Sequence, residues 1–163
     1  MENNKMKICL WFESQAEEAA NFYSTIFPNT KIGKVLRYSK EAIEIHKMPE
    51  GSVMTVEFSI NDMDFIGING GPVFKFNEAI SVMVSCDTQE EIDNYWSKLT
   101  VDGEELPCGW CKDKYGLVWQ IAPTILHQML SDSNSEKVQR VTHAYMQMKK
   151  FDIVKLEKAF AGN

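Results

Sequence analysis

The sequence predicts an α+β protein built from two β-α-β-β-β modules and a helical tail. Three observations carry this prediction. A short apolar strand followed by a capped amphipathic helix occurs twice, with the caps at Ser14 and Thr88, 74 residues apart (88 − 14). A strictly alternating hairpin follows the first helix. From Ser135 onward only helical periodicity is read.

The elements follow in order. Residues 7–12, KICLWF, read as a short buried strand. Ser14-Gln15-Ala16-Glu17 has the pattern of a capping box, and Ala16, Ala19, Ala20, Tyr23, Ile26 and Phe27 form one stripe of a helix that Pro28 closes. Strands are expected at about 32–38 and 43–47, then at 52–60 and 64–70. In that last pair Met54, Val56, Phe58 and Ile60 alternate with Val53, Thr55, Glu57 and Ser59, and Asn61-Asp62 makes the turn. Gly70-Gly71-Pro72 breaks the chain, and residues 73–79 link the halves. The second module repeats the order. It has a strand at 80–86, a Thr88-Gln89-Glu90-Glu91 capping box, a helix carrying Ile92, Tyr95, Trp96 and Leu99, and strands at about 104–111 and 116–123. Asp113 and Gly116 shape the turn before the last strand. Ser135 and Glu136 open a tail helix bearing Val138, Val141, Tyr145 and Met148, and Asp152 caps a last helix with Leu156 and Phe160.

This gives a domain over 1–125, with modules at about 6–71 and 78–123, and appended helices over 126–163 that pack on the domain or on a dimer partner. Seventeen basic and 23 acidic residues leave a formal charge of −6, which argues against non-specific nucleic-acid binding. No run approaches the roughly 18 apolar residues of a membrane span, and MENNKMKICLWF lacks a secretory core of about 7–15 apolar residues. A cytoplasmic protein is expected.

Cys9 and Cys86 lie in apolar runs and are expected to be buried thiols. Cys108-Gly109-Trp110-Cys111 has C-x-x-C spacing, but it leads into a turn and a strand rather than opening a helix, which argues against a redox pair. One such pair and three scattered histidines, His46, His127 and His143, do not make a zinc site.

The segments LWFESQAEEAANFY, GSVMTVEF, NGGP, FKFNEAIS, CDTQEEIDNYW, CGW-x-KD-x-YG-x-xWQI and HAYMQMKKFDI occur in order from about Lys7 to Phe160. Together they resemble the PhnB-like family of the glyoxalase / vicinal-oxygen-chelate superfamily, whose sequence label is "3-demethylubiquinone-9 3-methyltransferase domain". The resemblance implies two modules with sheets edge to edge in a cupped, partly closed barrel, a small-molecule ligand in the cup, and a homodimer. It also implies, for metal-dependent members, His and Glu ligands on paired strands of the modules. Here those positions fall near Ile8, near Gly67 or Asn69, near Ser81 and at Gln120, which do not make a divalent-metal site. The expectation is therefore no metal and no cofactor.

The candidate pocket comprises Trp11, Glu57, Asn69, Phe76, Asn77, Glu78, Ser81, Trp110, Trp119 and Gln120. These are aromatic walls with a few polar groups, as an organic ligand needs. Glu57, charged in mid-strand, is the candidate general base, and Cys108 the weaker candidate nucleophile. Three functions are open: a metal-independent binding protein, an enzyme of the same fold, and the methyltransferase of the family label. The last would call for a glycine-rich strand-to-helix turn, which Gly70-Gly71-Pro72 is not.

Overall fold

A computed structural model describes residues 6–163, which fall into two compact units, one ending at Phe76 and one running over Asn77–Asn163. The first unit contains β1 (Ile8–Phe12), α1 (Ala16–Ile26), β2 (Thr30–Arg37), a single helical turn α2 (Ile43–His46), β3 (Val53–Ile60) and β4 (Met63–Asn69). Its sheet has the order β1-β4-β3-β2, with β1 parallel to β4 and the other pairs antiparallel. The second unit contains β5 (Val82–Cys86), α3 (Gln89–Leu99), β6 (Glu104–Glu105), β7 (Trp110–Lys112), β8 (Val118–Pro123), α4 (Thr124–Leu130), α5 (Ser135–Tyr145) and α6 (Ile153–Ala161). Its sheet order, β5-β8-β7-β6, repeats the first, with the parallel pair between first and last strands. Ile8 pairs with Phe65 as Val82 pairs with Trp119, so the modules share a register as well as an order.

In each unit one sheet face is sealed by a helix. Leu10, Phe12, Val56, Phe58, Ile60 and Phe65 project from the first sheet beneath Ala16, Ala19, Ala20, Tyr23 and Ile26 of α1, all buried. Full burial of a side chain such as Tyr23 or Ile26 contributes roughly 1.5–3 kcal/mol. Gly67 lies under Ala16, where a Cβ would stand 3.0 Å from the alanine methyl, so a small residue is what lets α1 approach the sheet. In the second unit Ile92, Trp96 and Leu99 of α3 cover Cys111, Trp119 and Ile121.

The two helices start differently. Thr88 forms the expected capping box: its hydroxyl accepts from the Glu91 amide at 3.2 Å, and the Glu91 carboxylate accepts from the Thr88 amide at 3.3 Å. At α1 no capping box forms. Gln15 is the N-cap and its side chain accepts from Ser14 instead. The first helical amide, Ala16, donates to Asn69 Oδ1 at 2.9 Å, and Asn69 Nδ2 donates to the Val53 carbonyl at 3.0 Å. A side chain 53 residues away thus takes the place of the local cap and ties the helix to β4 and β3.

The segment 43–47, expected as a strand, is the turn α2, bracketed by Ala42 and Lys47 at φ 62° and 57°. The backbone reverses hand at both ends, which no strand permits. The β3–β4 hairpin turns at Asn61 and Asp62 with φ 46° and 64°, as their residue types predict. The strand expected over 104–111 is two short strands, because Cys108 and Gly109 take φ 60° and 78°.

Within the second unit the tail is hydrogen-bonded to the loop before β7 and to α3. The Cys108 and Gly109 amides donate to the Met148 and Lys149 carbonyls, both at 2.7 Å. Gln89 donates to the Phe151 carbonyl and accepts from the Ile153 amide. Asn134 caps α5 and Asp152 caps α6. Asp113, 2% exposed, accepts from the Tyr115 and Leu117 amides and from Trp119 Nε1, and this holds the turn before β8.

Asn69→Leu leaves the Ala16 amide without its acceptor and buries an apolar group beside it. It is expected to destabilise the protein by about 1–3 kcal/mol in urea unfolding. Thr88→Ala at the exposed second cap is expected to cost about 1 kcal/mol.

Candidate functional site

A strand alternates its side chains, so the residues not beneath a helix lie on the opposite face of each sheet. This far face carries the candidate chemistry in each unit. On the first sheet it presents Cys9, Trp11, Thr55, Glu57, Ser59, Asp64, Ile66 and Ile68. On the second it presents Met83, Ser85, Trp110, Lys112, Gln120 and Ala122, with Ser81 beside them.

Several expected residues stand there. Glu57 is half-exposed and its Oε1 accepts from Lys7 Nζ at 3.2 Å. Trp11 donates from Nε1 to the Gly71 carbonyl at 2.9 Å and meets Phe74 edge-on at 5.0 Å. A Cβ on Gly70 would fall 2.0 Å from the Trp11 ring, so only glycine lets the link cross that indole. Gln120 pairs in register with Trp110 on one side and Met83 on the other, and its Nε2 donates to Ser81 Oγ at 2.7 Å. In the link, Phe76 meets Phe12 edge-on. Asn77 Oδ1 accepts from the Ala79 amide, and Glu78 pairs with Lys112 at 2.6 Å. The Lys112 ammonium holds the Glu78 carboxyl below its usual range, and Glu78 in turn raises Lys112.

Two expected pocket residues lie elsewhere. Asn69 and Trp119 are 2% and 1% exposed, on the helix-covered faces. Their polar atoms are committed to the α1 cap and to Asp113. The one-residue alternation of the strands decides this.

The cysteines divide likewise. Cys9 is exposed, not buried, because it alternates with Leu10 and lies on the far face. Cys86 and Cys111 are buried, and desolvation pushes both thiols up to about 12. Cys108 is half-buried with Sγ 3.8 Å from Met146 Sδ. No disulfide joins Cys108 to Cys111, and the latter points into the core beneath α3.

The metal implied by the superfamily can be tested against these faces, one unit at a time. Ile8, Gly67 and Asn69 belong to the helix-covered side of the first sheet, so their neighbours Lys7, Cys9, Ile66 and Ile68 are the ones that face outward. An ammonium, a thiol and two hydrocarbons offer neither carboxylate nor imidazole. In the second unit Gln120 Nε2 donates to Ser81 Oγ, so two neutral groups stand where ligands would be needed. Among the described residues no three His, Cys, Asp or Glu side chains gather closely enough to hold an ion. The donor set does not fit a hard divalent cation.

The sequence reading missed α4, which begins at Thr124 behind Pro123 with no side-chain cap to announce it. Thr124 Oγ1 donates to Asp87 Oδ1 at 2.8 Å, and the helix leaves the end of β8. Between α4 and the far face of β5 and β8 runs a groove of about 480 Å³. Met83, Ala122, Pro123, Leu126 and Leu130 line it, with Ser85, Thr124, His127 and Gln128 as its polar groups. His127, one of the three scattered histidines, lines that groove.

The repeated βαβββ module with a parallel closing pair is the architecture of the glyoxalase / vicinal-oxygen-chelate proteins, and the comparisons agree. Residues 4–122 match the model of the 3-demethylubiquinone-9 3-methyltransferase family, and the chain belongs to that PhnB-like family. A Bacillus cereus protein described as a putative 3-demethylubiquinone-9 3-methyltransferase, PhnB protein, is 34% identical. It aligns over 74% of this chain and 100% of its own, with a TM-score of 0.65. Two further structures share the fold. A Pseudomonas aeruginosa protein is 13% identical over 74% of this chain and 98% of its own, with a TM-score of 0.58. The fosfomycin resistance protein FosX of Listeria monocytogenes, solved as a mutant with Mn(II) and a dihydroxypropylphosphonic acid, is 16% identical. It aligns over 80% of this chain and 100% of its own, with a TM-score of 0.57. None of the curated proteins matches the chain. Among the described residues no helix is long and apolar enough to cross a membrane.

In the native protein a disulfide reagent is expected to modify Cys9 first. Cys86 and Cys111 should react only on unfolding, as peptide mapping will show. The two buried thiols also set a pH dependence. Their folded pKa, about 12, lies above the ordinary 9.0, so the native state holds protons that the unfolded chain releases. Their contribution is whole below pH 9 and declines as pH rises towards 12, measurable as a falling urea midpoint.

Proposed function

We propose that this protein binds a small organic molecule without a divalent metal ion, in the groove between α4 and the far face of the second sheet. The groove is the observation that carries this reading. Its volume, about 480 Å³, lies in the roughly 300–1,000 Å³ range of small-molecule sites. Its walls are mostly hydrocarbon and thioether, and Ser85, Thr124, His127 and Gln128 supply the few directional groups such a site needs. Met83 is 59% exposed on that face, an adaptable apolar surface not used by the fold.

The Ser81–Gln120 pair supports the metal-free part of the reading, because amide and hydroxyl suit neutral organic groups better than ions. The family's methyltransferase description gains no support from the fold. No glycine stands between β1 and α1, between β5 and α3, or between β8 and α4, whereas a nucleotide-type cofactor fold uses a glycine-rich turn at that junction.

Two measurements test the proposal. After chelator treatment and dialysis against Mn, Co, Ni or Zn salts, elemental analysis is expected to find no stoichiometric ion. One ion per subunit, lost in Ser81→Ala or Gln120→Ala, would overturn the metal-free reading. The apolar dye 1-anilinonaphthalene-8-sulfonate is expected to bind the native protein with enhanced fluorescence. Ala122→Trp should abolish that enhancement by filling the groove while leaving the thermal midpoint near wild type. Dye binding unchanged by Ala122→Trp would remove the groove as the site.

A further inference from the structure

The far face of the first sheet carries a second, differently built pocket, of about 150 Å³. Lys31 of β2 pairs in register with Ser59 of β3, and Ser59 with Asp64 of β4, so the three stand in one cross-strand row. Lys7 and Glu57 close the side of the pocket and neutralise each other through their 3.2 Å ion pair. Gly33 leaves the β2 side open, since a Cβ there would stand 3.3 Å from Glu57 Cβ. Among the described residues the side chains of Lys31 and Asp64 make no hydrogen bond or ion pair. One cation and one anion are therefore left uncommitted, with the Ser59 hydroxyl between them.

Strands lie about 4.8 Å apart, so Lys31 and Asp64 stand on the order of 10 Å from each other across Ser59. The four-methylene lysine stem shortens the gap between ammonium and carboxylate to the scale of a small molecule. A simple anion entering this pocket meets the carboxylates of Glu57 and Asp64, and a simple cation meets the ammonium groups of Lys7 and Lys31. A molecule bearing both charges a few bonds apart meets a partner at each end.

We infer that this pocket binds a small zwitterion of amino-acid type, its carboxylate on Lys31, its ammonium on Asp64 and either end within reach of Ser59. The site is separate from the groove beside α4. Hydrogen bonds to charged groups are strong enough for each end to matter about tenfold or more in affinity.

Titration of the ¹⁵N-labelled full chain with β-alanine tests this. Millimolar β-alanine is expected to shift the amides of residues 31, 33, 57, 59 and 64, while acetate or methylammonium at the same concentration leaves them in place. Lys31→Met and Asp64→Asn should each weaken the β-alanine response about tenfold. Ala122→Trp should leave it unchanged, so the two sites succeed or fail separately. The inference is overturned if β-alanine shifts none of these amides, if acetate or methylammonium alone shifts them equally, or if both variants bind as wild type.

Discussion

The alternation of side chains across a half-covered sheet is the constraint on which the rest of this structure depends. Each four-stranded sheet commits every second residue to a helix. Leu10, Phe12, Phe65 and Gly67 lie under α1 in one unit, and Cys111, Trp119 and Ile121 under α3 in the other. That commitment is strong because close-packed apolar area is costly to expose. Whatever chemistry the protein performs is left to the intervening residues. The registers Ile8–Phe65 and Val82–Trp119 make the choice identical in the two modules. A slip of one residue would bury Glu57 and Gln120 and bring Phe58 and Trp119 to the surface.

The duplication, both main helices, the β3–β4 hairpin and the tail helices are legible in the sequence because their causes are local. Apolar period, cap and turn residue lie within a few positions of one another at Thr88-Glu91, Asn61-Asp62 and Asp152. The misreadings have distant causes. Ser14 has the local pattern of a cap, yet the acceptor for the Ala16 amide is Asn69, brought there only when β4 pairs with β1. The same displacement removes Asn69 from the candidate site. Ile43-Glu44-Ile45-His46 alternates like a strand, but left-handed residues at each end make it a turn. Thr124–Leu130 follows Pro123 with no side-chain cap, so nothing local announced a helix, and with it the groove went unread.

Of the candidate site, the sequence showed residue types and the fold assigned them faces. Glu57, Ser81, Trp110 and Gln120 share the far faces, whereas Trp119, one residue before Gln120, is sealed beneath α3. The aromatic content that suggests a pocket in the sequence is thus partly core. Asp113 illustrates the same division: as a buried carboxylate it has the look of a functional group, yet two amides of its own turn and the Trp119 indole of β8 donate to it.

The side chains at the positions of the superfamily's ligands also argue about chemistry through their partners. A hard divalent cation is held by anionic or imidazole donors left free to coordinate. In the second unit the amide of Gln120 and the hydroxyl of Ser81 are neutral and already hydrogen-bonded at 2.7 Å. Displacing that bond to coordinate a cation would exchange it for two weak neutral ligands. A neutral organic group can instead accept from the hydroxyl or the amide without charge to compensate. The apolar groove on the same face continues that logic, since its affinity would come from excluded water and a few oriented hydrogen bonds. In the proposed metal-free reading the repeated fold supplies the sheet face, and its side chains answer to shape and hydrogen bonding.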